Sequence, residues 1–299
     1  VTSRAPHADL LSAIPVTEHE VSILGSRTRY WTYGAPDAAR TVVVIHGYRG
    51  EHHGLEPVVV RLIGADPAGV RVIAPDLPGF GESTELTSAS HSISGYGRWL
   101  HEFLDRLELL GVAILLGHSF GSIVVAHAAA AGLPAPAVIL VNPIASDPGA
   151  VTGIGATRFF YGVGRRLPEG AARAWLGNPL VVRGMSCVLA RTRDRDLRRW
   201  IHEQHRAYFS RFASRRSVVE GFDASLSADV GSVAEELPMP VLLVAGERDE
   251  IAPLEGQFAM LDRFPDARLV VIPDVGHLIH YETPDAAAHA IGAFLAEVA

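Results

Sequence analysis

Gly117-His118-Ser119-Phe120-Gly121 is the stretch whose residue types could do chemistry. An apolar run, Val112-Ala113-Ile114-Leu115-Leu116, precedes it, and an Ala-rich run over residues 122–131 follows. That pattern reads as a buried strand turning sharply into a helix, with one serine at the corner. Such a corner strains the serine backbone and leaves its oxygen exposed at the carboxyl end of a sheet. Gly117 and Gly121 lack Cβ, so strand and helix can approach closely there. The helix that follows turns its unpaired N–H groups toward the reacting centre. The chemistry prepared is nucleophilic attack on a carbonyl, with backbone donors holding the oxyanion that develops.

A serine hydroxyl is almost fully protonated at neutral pH, so it needs a base. His277 is the candidate among 14 histidines. It follows the apolar run 269–272 and Pro273-Asp274-Val275-Gly276, on a loop at a strand end. His280 is its nearest rival and is expected in the first turn of the last helix. The base needs a carboxylate to hold its tautomer and stabilise the imidazolium. Asp249, directly after the run 241–245, is the expected acid; Asp147, after the run 137–141, is the alternative. Glu247 and Glu250 read as solvated neighbours. His46, His52 and His53 match no metal-ligand spacing, so no metal is expected and His46 is expected to be structural.

Positioning these groups takes a sheet. Residues 21–24 and 29–33 read as short strands around Gly25-Ser26-Arg27-Thr28, a hairpin. The runs 41–45, 70–74, 112–116, 137–141, 240–245 and 269–272 read as buried strands. Helices are expected over 55–63, 254–264 and 284–298. Another is expected where Tyr96, Trp99, Leu100, Phe103, Leu104 and Leu107 line one helical face. Strands alternating with helices mean an α/β fold with a doubly wound, mostly parallel sheet. Residues 146–236 carry no β-branched run and read as helices broken at Pro168, Gly177-Asn178-Pro179 and Gly221. The expected organisation is a core of residues 1–145 and 237–299 with a helical cap inserted at 146–236.

The 299 residues, 48% of them hydrophobic, suit one large domain with an insertion. The net charge of −7 argues against nucleic acid as the partner. All 26 basic residues are arginine, which excludes Schiff-base chemistry and a Walker-type phosphate loop. Cys187 stands alone, so neither an intrachain disulfide nor a cysteine zinc site is possible. No apolar run reaches bilayer length, and residues 1–16 do not read as a signal peptide. A soluble, cytoplasmic protein is therefore expected, its oligomeric state left open. Between Arg158 and Arg216 stand fourteen arginines against four carboxylates, a balance of +10 that leaves −17 for the rest of the chain. Arginines facing the mouth over Ser119 would favour an anionic acyl compound.

The order of motifs resembles the α/β-hydrolase fold superfamily. A strand runs into His46-Gly47, then come Asp76-x-x-Gly79-x-Gly81-x-Ser83, the Ser119 corner, Gly246-x-x-Asp249-x-x-x-Pro253 and Gly276-His277. The resemblance spans roughly residue 21 to the carboxyl end, with 146–236 in the place of that superfamily's variable cap. It implies the order Ser119, Asp249, His277 for nucleophile, acid and base, with the position of Asp147 as the other acid site. It implies two oxyanion donors, the backbone N–H groups of Phe120 and of Tyr48. Asp76, Gly79, Gly81 and Ser83 are implied to form a structural turn. Dehalogenases and epoxide hydrolases of the fold use Asp where this chain has Ser119. The expected function is a serine hydrolase acting on a small acyl compound, by default a carboxylic ester, with no cofactor. Thioesters, lactones, carbon–carbon bonds, acyl transfer and a triad-retaining ligand receptor remain open, since fold does not set substrate.

Overall fold

The computed structural model describes residues 5–66, 69–145 and 154–298. Among these residues the strands form one eight-stranded sheet: β1 (Val16–Ile23), β2 (Ser26–Tyr33), β3 (Arg40–Ile45), β4 (Val70–Pro75), β5 (Ile114–His118), β6 (Val138–Val141), β7 (Val241–Gly246) and β8 (Ala267–Ile272). Their order across the sheet is β1-β2-β4-β3-β5-β6-β7-β8. β1, β2 and β4 pair antiparallel, and every pair from β4 to β8 is parallel. The β1–β2 turn is tighter than the sequence suggests. It falls at Leu24 and Gly25, both with positive φ (49° and 76°), the geometry that matches strand twist in a two-residue hairpin.

The helices in chain order are α1 (Ala8–Ser12), α2 (Glu56–Ala65), α3 (Ile93–Arg106), α4 (Phe120–Ala130), α5 (Ile154–Arg166), α6 (Glu169–Leu176), α7 (Pro179–Leu189), α8 (Arg195–Tyr208), α9 (Arg215–Ser225), α10 (Leu254–Leu261), α11 (Ile279–Glu282) and α12 (Pro284–Glu297). The central strands are apolar on both sides because both faces are covered. Val43, Ile45 and Leu115 point toward the layer holding α3 and α4, while Val42, Val44, Ile114 and Leu116 point toward α2 and α12. Ser92 caps α3 by accepting from the Gly95 N–H at 3.1 Å.

Helices α5–α9 lie between β6 and β7 in sequence. Pro168 and Asn178 precede α6 and α7, as their types suggest. Gly221 does not break a helix; it sits inside α9. A Cβ there would come within 3.1 Å of the Phe80 ring and 3.3 Å of the Tyr48 ring, so the glycine serves close packing. No helix among the described residues is long and apolar enough to cross a membrane.

Candidate active site

Ser119 stands between β5 and α4 with φ 52° and ψ −117°, off the usual regions for a residue with a side chain. The surroundings hold it there. Its N–H donates to the Val141 carbonyl at 2.9 Å, and its own carbonyl accepts from the N–H and the hydroxyl of Ser122. A Cβ on Gly121 would collide with the Ile45 carbonyl, and one on Gly117 with the Gly121 carbonyl. Both glycines are therefore required for α4 to start this close to β3 and β5.

His277 lies on the loop after β8, its Nε2 2.7 Å from Ser119 Oγ and its Nδ1 2.7 Å from Asp249 Oδ2. With the carboxylate ionised, Nδ1–H donates to Asp249 and Nε2 is left to accept the serine proton. Asp249 follows β7, and its Oδ1 accepts from the N–H groups of Ile251 and Ala252 at 2.8 and 3.0 Å. Burial pushes this carboxyl up, but His277 and those N–H groups outweigh it and hold the pKa down at about 2. Asp147 lies outside the described residues. Glu247 and Glu250 are exposed; Glu250 pairs with Arg191 and Glu247 accepts from the Asp274 N–H.

Phe120 opens α4, so its N–H is one of the first-turn donors without a partner inside the helix. Tyr48 follows β3 on the loop His46-Gly47-Tyr48, and lines the same cavity as Ser119 and Phe120. His46 is engaged structurally: its Nδ1 donates to the Gly47 carbonyl and its Nε2 accepts from the Leu77 N–H, both at 2.8 Å. Asp76 accepts from the N–H groups of His52 and Glu82 and from the His52 ring, and Ser83 donates to its carbonyl. Glu51, His52 and His53 bring ligand-type atoms within 4.8 Å of one another. Nδ1 of His52 is already bonded to Asp76, and Nδ1 of His53 to Glu51.

The cavity over Ser119 measures about 320 Å³. Its walls are mainly apolar, with Ile123, Ile144 and Ile251 from one side and Ile154, Tyr161, Phe222 and Leu226 from helices α5 and α9 and the residue after. None of the fourteen arginines of the inserted stretch is among its lining residues. Arg165 pairs with Asp223, Arg199 with Asp196 and Arg216 with Glu220 instead. The one arginine among the described residues on the cavity wall is Arg49, from the loop after β3.

The family model described as "Alpha/beta hydrolase family" matches residues 42–290. The chain belongs to this family. A 2-hydroxy-6-oxononadienedioate/2-hydroxy-6-oxononatrienedioate hydrolase of Cupriavidus pinatubonensis is 25% identical over 273 residues, 82% of this chain and 82% of that protein. A pimeloyl-[acyl-carrier protein] methyl ester esterase of Neisseria meningitidis is 25% identical over 259 residues, covering 81% and 87%. A thermophilic esterase of Thermogutta terrifontis, solved with malate bound, superposes with a TM-score of 0.75 at 22% identity, over 94% of this chain and 99% of that one. That last likeness is one of fold.

Two features of this hydrolase's site escape a sequence reading. Asn142, buried and with φ 47°, donates from Nδ2 to Asp249 Oδ2 at 2.7 Å. Its place at the end of β6, next to the acid strand, is the only signal it leaves in the sequence. The second is a set of buried histidines. His280 lies in the separate short helix α11, not in the last helix, and packs edge-on against His118 with ring centres 4.4 Å apart. Burial, with the neighbouring His277, lowers the His118 pKa to about 3; burial, with His118, His277 and His205 nearby, holds His280 well below its ordinary value. His205 of α8 is lowered to about 4, by burial first and by His202 second. These rings are neutral at pH 7, so the histidines nearest His277, His118 and His280, add no positive charge beside it.

Proposed function

We propose that this α/β-hydrolase cleaves carboxylic esters through an acyl-enzyme on Ser119, with His277 as base and Asp249 as its carboxylate. The supporting observation is the run of two 2.7 Å bonds from Ser119 Oγ through His277 to Asp249, opening on an apolar cavity. Ser119 Oγ attacks the carbonyl carbon while His277 Nε2 takes its proton. The oxyanion is held by the N–H groups of Phe120 and Tyr48. On collapse the alcohol leaves with the proton from His277. A water, deprotonated by His277, then attacks the acyl-enzyme; on collapse the acyl–Oγ bond breaks, His277 returns the proton to Ser119 Oγ, and the acid departs. Helices α5–α9 act as the cap that walls the acyl pocket.

The apolar lining and the pairing of the inserted arginines elsewhere favour an uncharged acyl chain. The esterase name of the Neisseria relative supports the ester reading. Carbon–carbon bond hydrolysis is the second reading, favoured by the name of the Cupriavidus relative; it would use the same nucleophile and base. A fluorophosphonate probe should label the protein once, at Ser119. A panel of p-nitrophenyl esters and thioesters of graded acyl length, run beside a β-diketone-type compound, should show turnover of the esters. Labelling at another residue removes the mechanism, and turnover of the diketone alone moves the assignment to the second reading.

A further inference from the structure

We infer that Arg49 is a positioning residue for the oxyanion donor: its guanidinium fixes the loop that carries the Tyr48 N–H by tying it to the carboxyl ends of two inserted helices. The inference rests on the reading of Tyr48 as that donor. Residues 47–50 form a tight turn in which the Gly47 carbonyl accepts from the Gly50 N–H at 2.9 Å and from His46 Nδ1 at 2.8 Å. Arg49 has φ 60°, the left-handed region that glycine occupies with least strain. A residue with a long side chain persists there only when its surroundings over-determine it.

Those surroundings are specific. Arg49 is 1% exposed. Its Nε donates to the Phe209 carbonyl at 3.0 Å, its Nη2 to the Leu176 carbonyl at 2.9 Å, and its Nη1 to the Tyr161 hydroxyl at 3.3 Å. Leu176 is the last residue of α6, and Phe209 directly follows α8. Carbonyls at helix carboxyl ends lack partners inside their helix and carry the negative end of its dipole. The buried cation is thus compensated by two helix ends, and by the rings of Phe209 and Phe212 at 5.0 and 5.7 Å. The preceding residue grips the same layer, since the Tyr48 hydroxyl donates to the Val218 carbonyl of α9 at 2.7 Å. Two consecutive side chains of one turn therefore hold α6, α8 and α9, and the Tyr48 N–H belongs to that turn.

The test compares Arg49→Met and Arg49→Lys with Arg173→Met. Arg173 bonds the Phe212 and Ala213 carbonyls in the same helical layer and shares the Phe212 ring with Arg49, but among the described residues it makes no hydrogen bond to the 46–50 loop, so its loss loosens the helices without cutting the bonds that hold that loop. The probes are a p-nitrophenyl ester and an alkyl trifluoromethyl ketone, whose adduct with Ser119 places an oxyanion at the donors. Arg49→Met should lower kcat about 10- to 100-fold with KM little changed, the scale for small misplacement of a reacting geometry. Its affinity for the ketone should fall in parallel with kcat/KM. Arg49→Lys, which keeps the charge without the fork, should fall between. Added guanidinium should restore part of the activity of Arg49→Ala. Arg173→Met should melt earlier yet bind the ketone as the wild type does. If Arg49→Met does not fold, Arg49→Lys carries the comparison. Unchanged ketone affinity in the Arg49 variants, or an equal loss in Arg173→Met, overturns the inference. So does a loss confined to KM for anionic esters, which would make Arg49 a substrate ligand. A wild type that neither binds the ketone nor turns over any ester removes the ester reading itself.

Discussion

Ser119 is held in a strained corner, and two side chains far apart in sequence, His277 and behind it Asp249, line up with it there. At this scale the first expectation is kinetic. Ser119→Ala should lower kcat about 10⁶-fold, and Asp249→Asn about 10⁴-fold, because the imidazole then loses its orienting charge. Steady-state rates on a p-nitrophenyl ester decide; near-wild-type turnover in Ser119→Ala would end the acyl-enzyme proposal. The second expectation concerns acid. His118 and His205 have folded pKa values of about 3 and about 4, below the value near 6.5 of an unfolded chain. Between those limits the unfolded chain binds more protons. The stability these rings contribute is therefore complete above about pH 6.5 and is lost as pH falls through their folded values. Asp249 adds the same sign lower down, between about pH 4 and its folded value of about 2. Urea midpoints should be level near pH 7 and fall steadily below about pH 6, less steeply in His205→Gln. A midpoint unchanged from pH 6.5 to pH 4 would contradict the buried neutral rings.

Elements were legible in the sequence where the signal is local. The amphipathic spacing of Tyr96, Trp99 and Phe103 belongs to α3, and the β-branched run at 41–45 belongs to β3. Gly221 was not legible, because a glycine inside a helical pattern looks the same whether it breaks the helix or admits a neighbour's ring. The positions of Gly117 and Gly121 were readable, since a strand–helix corner leaves no room for Cβ. Gly121→Ala should push α4 away from β3 at the Ile45 carbonyl. The expected cost is about 1–3 kcal/mol, as for other overpacked sites, with a fall in kcat because Phe120 moves too. Thermal melting and turnover measured on one preparation check both; an unshifted melt would show that the corner can relax.

The whole molecule is electrically divided, with +10 in the inserted arginine stretch and −17 elsewhere. Those arginines are not on the cavity wall, so any pull they exert on an anionic ester must act at a distance. Long-range steering fades as the screening length shortens, to about 8 Å at physiological ionic strength. For a matched pair of esters, one anionic, the ratio of kcat/KM for the anion to that for its neutral isostere should be higher at low salt than at high salt. Equal ratios at both would remove the steering. A preference that survives high salt would place a cation in contact with the substrate, and Arg49 on the cavity wall, not the inserted arginines, would be that cation.

Residue types, their order and their local periodicity were enough to determine the alternation of strands and helices, the corner at Ser119 and the strand-end positions of Asp249 and His277. The physical reason is that crossovers between parallel strands bring successive strand ends to one edge of the sheet, so position along the chain already implies position at that edge. His277 and Ser119 are 158 residues apart, yet both follow strands of one sheet. Tertiary structure alone decided the Asn142 contact, the enclosure of His118, His205 and His280, and the place of the arginines. It also decided the grip of Arg49 on carbonyls 127 and 160 residues away. The place of the arginines, the enclosure of His205 and the grip of Arg49 depend on how helices α5–α9 pack against one another and over the sheet. That packing has no fixed register like the one strand pairing imposes, so it leaves no pattern in the sequence to read.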